Sequence, residues 1–415
     1  MRPQFHFTVS AGWINDPHGI TAREGGYDIF YQYVPDRTEW APSCHWGHAR
    51  GVDLLSLVEL EPAIYPGQGD DGIWTGSLVA GDFPTSTRIF YTSVSAEDVT
   101  IGRVRVAHAA DDSWNKWNKE EGVLAEAPPG LELVGFRDPF LRRDEDGWRM
   151  FLGAGHRDGR ALALSYISQD LSSWNYEGIA LERNTAQREP VWSGAMWECP
   201  QIIDIGDRAI MISSAWDRDV LNYAVYAVGR YKRGRFEAEN WGRLTYGPSF
   251  YAPSYFRDAE GRPAISLWMR GIDDLAAGWA GAHSIPYLLE LQGDVLVARP
   301  HPDLERYRGP ESRDGAVEGS AADVVWSGEG ILTVGSGDQV LFTAHADEGD
   351  IVVLVEGERW ILPRFEANVR LVIDGSCLEV SSDRGLLGLA IPIPTNEISI
   401  NGEGVLVYGL VRNGG

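Results

Sequence analysis

Cysteine is scarce in this chain. Cys44, Cys199 and Cys377 are odd in number and far apart among 415 residues, so no disulfide framework is encoded. No Asn-x-Ser/Thr sequon occurs, and no apolar stretch approaches the length of a membrane span. No basic segment followed by an apolar one opens the chain, where Met1-Arg2-Pro3-Gln4-Phe5 runs straight on. Together these absences set the expectation of a reducing, cytoplasmic location. Basic residues are in deficit: 36 Lys and Arg against 60 Asp and Glu leave a formal net charge of -24. Binding to nucleic acid or an anionic membrane draws on clustered cations, so both are excluded as expected partners, and a neutral substrate is favoured. An acidic surface also serves solubility. Neither a Gly-x-Ser-x-Gly elbow nor a phosphate-cradling glycine loop is present.

What the chain has in quantity is glycine (48), proline (22) and aromatic residues (11%), the texture of a turn-rich, all-β protein, and its length suggests two domains. Three stretches present an acid close before a proline: Trp13-Ile14-Asn15-Asp16-Pro17, Phe136-Arg137-Asp138-Pro139 and Trp197-Glu198-Cys199-Pro200. Each reads as a turn with a fixed exit direction and one carboxylate pointing from it. From Asp16 the chain reaches Gly76 after 60 residues, Asp138 after a further 62, Glu198 after 60 and Ala252 after 54. After each of these five places comes a turn and an apolar strand, such as Gly147 to Leu152 or Gly206 to Ile212.

Five returns of one supersecondary unit predict a five-bladed β-propeller over residues 1–308, with the starts of the inner strands gathered at one end of a funnel. Tandem hairpins in a sandwich are the alternative. Beyond Arg308 the texture changes to short apolar runs between Gly and Asp turns, which predicts a C-terminal β-sandwich over residues 309–415.

Glycoside hydrolysis with retention needs an ionised carboxylate to attack the anomeric carbon and a protonated one to protonate the leaving oxygen. Asp16 suits the nucleophile and Glu198 the acid/base. Trp197 and the charge of Asp16 are expected to keep a proton on Glu198, and Arg137 is expected to keep Asp138 ionised. A third, ionised acid suits a site where oxocarbenium-like charge develops. His45 and His48 invite a zinc reading, but no third ligand accompanies them at metal spacing. Cys199 reads as a small buried hydrophobe, since no base partner is evident.

These motifs resemble glycoside hydrolase family 32, the β-fructosidases that include invertases, inulinases and levanases. Trp13 to Gly19 resembles its nucleophile motif, Arg137-Asp138-Pro139 its transition-state-stabiliser motif, and Glu198-Cys199 its acid/base motif. Tyr31-Gln32-Tyr33, His45-Trp46-Gly47-His48-Ala49, Thr75-Gly76-Ser77, Tyr251-Ala252-Pro253 and Leu371 to Ser376 match further segments. The resemblance implies a propeller followed by a sandwich, a retaining mechanism, and no metal or organic cofactor. It also implies that Asn15, Gln32, Trp40, Trp74, Ser77 and Arg137 line the pocket for the terminal fructosyl unit. His18 stands where the family usually has Asn, Val34 where Asn is common, and Ser249 where Asp often precedes Phe-Tyr-Ala-Pro. The resulting expectation is an exo-acting β-fructofuranosidase acting on sucrose and short fructans. A fructosyltransferase and a sucrose 6-phosphate hydrolase share the same acids, and a non-catalytic sugar-binding propeller is the reading from another class. Oligomeric state is left open.

Overall fold

The computed structural model describes residues 1–81, 86–365 and 368–412. Apart from one short 3-10 helix, Pro302–Tyr307, its named elements are strands. No helix among the described residues is long and apolar enough to cross a membrane.

The first part of the chain is laid out in antiparallel runs. The first holds β1 (Gly12–Arg23), β2 (Gly26–Val34), β3 (His45–Gly51) and β4 (Val58–Ile64); the second β5 (Gly72–Val79), β6 (Arg88–Ser95), β7 (Asp98–Ala109) and β8 (Trp117–Lys119). The third holds β9 (Leu133–Asp144), β10 (Gly147–His156), β11 (Arg160–Ser168) and β12 (Asn175–Asn184); the fourth β13 (Met196–Ile205), β14 (Arg208–Asp217), β15 (Val220–Lys232) and β16 (Arg235–Arg243). After the short β17 (Thr245–Tyr246), a last run joins β18 (Phe250–Arg257), β19 (Pro263–Asp274), β20 (Trp279–His283), β21 (Tyr287–Gln292) and β22 (Val295–Pro300). The runs are stitched together: β20 lies parallel to β1 through Gly12 and Trp13, and β7 touches β9 in parallel at Ile101 and Phe136.

The leading strands pack against one another, β1 on β5 and β18, β9 on β5 and β13, and β13 on β18. Strands inside the runs are buried on both faces, which is why β10 and β14 read as near-continuous apolar stretches such as Met150-Phe151-Leu152. Trp46, Trp197 and Phe90 fill the space between neighbouring runs.

From Arg308 the strands form two further sheets. One contains Ala321–Trp326, Val369–Asp374, Cys377–Ser381 and Leu386–Ala390, and β17 adds to it in parallel through Thr245 and Leu386. The other contains Ile331–Ser336, Gln339–Asp347, Asp350–Val355 and Glu358–Leu362. Trp326, Val334, Phe342, Val353, Leu371 and Leu378 form a common buried core. A second core, including Phe5, Tyr287, Leu304, Val372 and Leu386, joins the two parts of the chain.

Candidate active site

Every leading strand loses its register with its neighbour near its motif. The irregularities fall between Ile14 and Pro17, between Trp74 and Gly76, opposite Phe151 and Gly153 on β9, between Glu198 and Gln201, and between Tyr251 and Ser254. Bulges break the ladder and re-aim side chains. Asp138, Cys199 and Ala252, each just ahead of a proline, sit in the left-handed region at φ 65°, 50° and 46°. The three acids therefore depart from simple strand alternation in one direction and meet.

Asp16 is fixed by donors from three strands. Asn15 Nδ2 donates to Oδ1 at 3.1 Å, while Gln32 Nε2 at 3.1 Å and Thr75 Oγ1 at 2.8 Å donate to Oδ2. Gln32 also donates to Thr75 Oγ1 at 2.6 Å. Burial and the charge of Glu198 push the Asp16 carboxyl up to about 6, against the bonds from Thr75 and Asn15.

Asp138 accepts the Cys199 N–H on Oδ2 at 3.0 Å, and its own N–H donates to Thr92 Oγ1 at 2.8 Å. The Cys199 thiol lies 3.7 Å from Asp16 Oδ2 and 3.6 Å from Asp138 Oδ2, so one sulfur faces both carboxylates. Burial and these charges hold the thiol well above its ordinary pKa. Burial also pushes Asp138 up to about 7, more than the Arg137 charge offsets. Burial therefore corrects the expectation of a firmly ionised Asp138, although the Arg137 charge still opposes it. Arg137 turns to Glu198, donating to Oε1 from Nε at 3.1 Å and Nη2 at 2.8 Å.

Trp197 does not cover Glu198 either. Adjacent strand residues face opposite ways, and the Trp197 indole is buried with Phe151 and Met211, donating to Ser193 O at 3.0 Å. The groups on the Glu198 carboxylate are Arg137 and Tyr251, whose hydroxyl donates to Oε2 at 2.5 Å.

Among the residues expected in the pocket, Asn15, Gln32, Trp74 and Arg137 gather around the acids. Asn15 Oδ1 is buried without a hydrogen-bond partner. Trp74 lies 5.8 Å from the Arg137 guanidinium carbon and edge-on to Trp40, which is 47% exposed. Ser77 is placed differently: its hydroxyl donates to Pro139 O at 2.7 Å and accepts the Leu141 N–H at 3.2 Å, tying β5 to β9. The hydroxyl beside Asp16 belongs to Thr75, because the bulge at Trp74 and Gly76 changes which residue faces inward. Sequence reasoning also passed over Tyr251 and Arg270. The only signal for Tyr251 was its place in a fifth motif; nothing in the sequence pointed to Arg270.

A cavity of about 200 Å³ continues past the acids, lined by Pro17, His18, Thr75, Asp138, Cys199 and Ser254 among others. The His18 ring lies 4.0 Å from that of Trp46 at a tilt of 39°, and burial keeps its imidazole neutral, its pKa well below the ordinary value. His48 is engaged elsewhere, 2.6 Å from Asp28. Among the described residues no group of three His, Cys, Asp or Glu side chains is placed to hold a metal ion.

The description "Glycosyl hydrolases family 32 N-terminal domain" matches residues 6–300. A sucrose-6-phosphate hydrolase of Zymomonas mobilis is 28% identical over 341 residues, covering 77% of this chain and 66% of that protein. A cell wall beta-fructofuranosidase of Zea mays is 30% identical over 351 residues, covering 74% of this chain and 57% of that protein. The chain thus spans less than two thirds of the length of either relative. Among solved structures, a Bombyx mori GH32 beta-fructofuranosidase in complex with sucrose superposes with a TM-score of 0.84 at 23% identity, covering 99% of this chain and 94% of that one. A fructan 1-exohydrolase from Cichorium intybus in complex with 1-kestose gives 0.80 at 20% identity, covering 99% and 98%.

Proposed function

The chain belongs to glycoside hydrolase family 32, and from that membership we propose an exo-acting, retaining β-fructofuranosidase that releases terminal β-D-fructosyl units from sucrose and short fructans. The observation that carries this reading is the meeting of Asp16, Asp138 and Glu198 around Cys199, with Arg137 and Tyr251 on the Glu198 carboxylate.

In the first step Asp16 forms a bond to the anomeric carbon as the bond to the leaving oxygen breaks, and Glu198 gives that oxygen its proton. Water then attacks the fructosyl-Asp16 ester, Glu198 takes the water proton, and Asp16 leaves as carboxylate. Asp138, in its ionised form, stabilises the charge that develops on the ring. Trp40, Trp74, Asn15, Gln32 and Arg137 hold the fructosyl unit in this scheme, and Thr75 takes the position first given to Ser77. Nothing in it calls for a metal or organic cofactor.

The order in which the leading strands pack supports a five-bladed propeller over residues 1–308, and the two later sheets support a sandwich over 309–415. Three unpaired, buried cysteines support the proposal of a reducing, cytoplasmic location.

The deciding experiment measures fructose and glucose released from sucrose, sucrose 6-phosphate, inulin and levan by the native protein and by Asp16→Asn. Release that the substitution abolishes, with a fructosyl adduct trapped on Asp16 in Glu198→Gln, is the expected result. A marked deficit of free fructose at high sucrose would move the reading to a transferase. Sugar binding without turnover on all four would overturn it.

A further inference from the structure

The geometry points to Arg270 as a positioning residue that acts on the acid/base through Tyr251. This rests on the glycosidase reading of Glu198. Arg270, on β19, places its guanidinium carbon 5.0 Å from the centre of the Tyr251 ring, whose hydroxyl donates to Glu198 Oε2 at 2.5 Å. A cation over a phenol ring withdraws electron density and makes the hydroxyl a stronger donor. A stronger donor favours the charged form of the carboxylate it binds.

The guanidinium is itself held rigid. Nη1 donates to Leu221 O at 2.7 Å and Nη2 to Asn222 O at 3.2 Å, both at the start of β15, and the Arg270 N–H donates to Ser249 O at 2.9 Å. Its Nε is buried without a hydrogen-bond partner, and burial holds the Arg270 pKa below its ordinary value against the charges of Tyr251 and Glu198. Leu221 packs with Tyr251, Trp268, Cys199 and Trp13 beside the acids. One side chain thus has two separable effects: its charge tunes Glu198 through the phenol, and its fork pins the β14–β15 turn. The other charged or titratable groups facing Glu198 are Arg137 and Asp138 from β9, Asp16 from β1 and Cys199 from β13. All remain in place when Arg270 alone is changed.

The test compares Arg270→Met, Arg270→Gln and Arg270→Lys with the native protein, each also in a Tyr251→Phe background. Two readouts are the pH profile of kcat/KM and the carboxyl carbon-13 resonance of Glu198 in glutamate-labelled protein, assigned by its loss in Glu198→Gln. Removing the cation is expected to move the basic limb and the Glu198 titration to higher pH by about half a unit to one unit. In Tyr251→Phe the same substitutions should move both by clearly less, because only the direct Coulombic share between Arg270 and Glu198 remains. Arg270→Lys keeps the charge but loses the fork, so its limb should stay native while KM rises several-fold. An unmoved titration in both neutral variants, or an equal shift with and without the Tyr251 hydroxyl, would overturn the inference. The resonance titrates without turnover, so this outcome is separate from a native protein that releases no fructose, which would defeat the functional reading instead.

Discussion

Arg137 places two donors on one oxygen of Glu198, Nε at 3.1 Å and Nη2 at 2.8 Å on Oε1, and leaves Oε2 to Tyr251. A planar fork at this spot fixes where the carboxyl can give up its proton. Arg137→Met is expected to lower kcat by about 100-fold, as loss of one oriented charged donor does elsewhere. Arg137→Lys should recover little of that, because an ammonium cannot reproduce the fork. Steady-state kinetics on sucrose decides, and near-native activity in the lysine variant would show that charge alone suffices.

Thr75, which sequence reasoning passed over, donates to Asp16, while Ser77, expected in the pocket, ties β5 to β9. Thr75→Val removes a 2.8 Å donor from Asp16 and should cost roughly 10-fold or more in kcat/KM with little change in stability. Ser77→Ala removes the link between β5 and β9 and should lower stability by about 1 kcal/mol while kcat changes little. Denaturant unfolding and kinetics on both variants separate the two; a kinetic defect confined to Ser77→Ala would return that residue to the pocket.

Asp138 carries a cost for the fold. Burial raises its carboxyl to about 7 from 3.8, so the folded state holds the proton more tightly than the unfolded one. The stability this lends is full below about 4 and is lost as pH rises through 7. Asp138→Asn should therefore raise the unfolding temperature at pH 8 by a few degrees, have almost no effect at pH 3.5, and abolish turnover. Calorimetry at the two pH values is the check; equal shifts at both would mean the gain is not electrostatic.

The His6 imidazole is buried between Asp374 Oδ2 at 2.9 Å and Glu379 Oε1 at 3.2 Å, with Tyr287 donating to Glu379 at 2.6 Å. Burial alone would lower its pKa, but the two carboxylates raise it to about 9. Its contribution is full below 6.5 and fades as pH rises through 9. His6→Gln leaves two buried carboxylates without their cation and should cost about 3 kcal/mol at pH 7. Chemical unfolding measures this, and the difference from native protein should shrink at pH 10.

Much of this site was legible in the sequence because bulge and proline chemistry are local. Asp16, Asp138 and Glu198 each declare themselves by the proline close behind them, which falls at a bulge within a strand and not at the turn expected, and a spacing near 60 residues says that these positions recur in equivalent places. The all-β character followed from short apolar runs between Gly and Asp turns, and family membership from the order of the motifs. What faces what could not be read. One inserted residue in β5 passes the inward position from Ser77 to Thr75, and strand alternation sends Trp197 into the core while Arg137 crosses to Glu198 instead of staying on Asp138. Arg270 reaches Tyr251 only because β18 and β19 pair, and His6 finds Asp374 and Glu379 more than 360 residues away. Local turns are set by neighbouring residues; the ionisation and partners of a buried acid are set by whatever the packed strands bring within a few ångströms, and that only the tertiary structure decided.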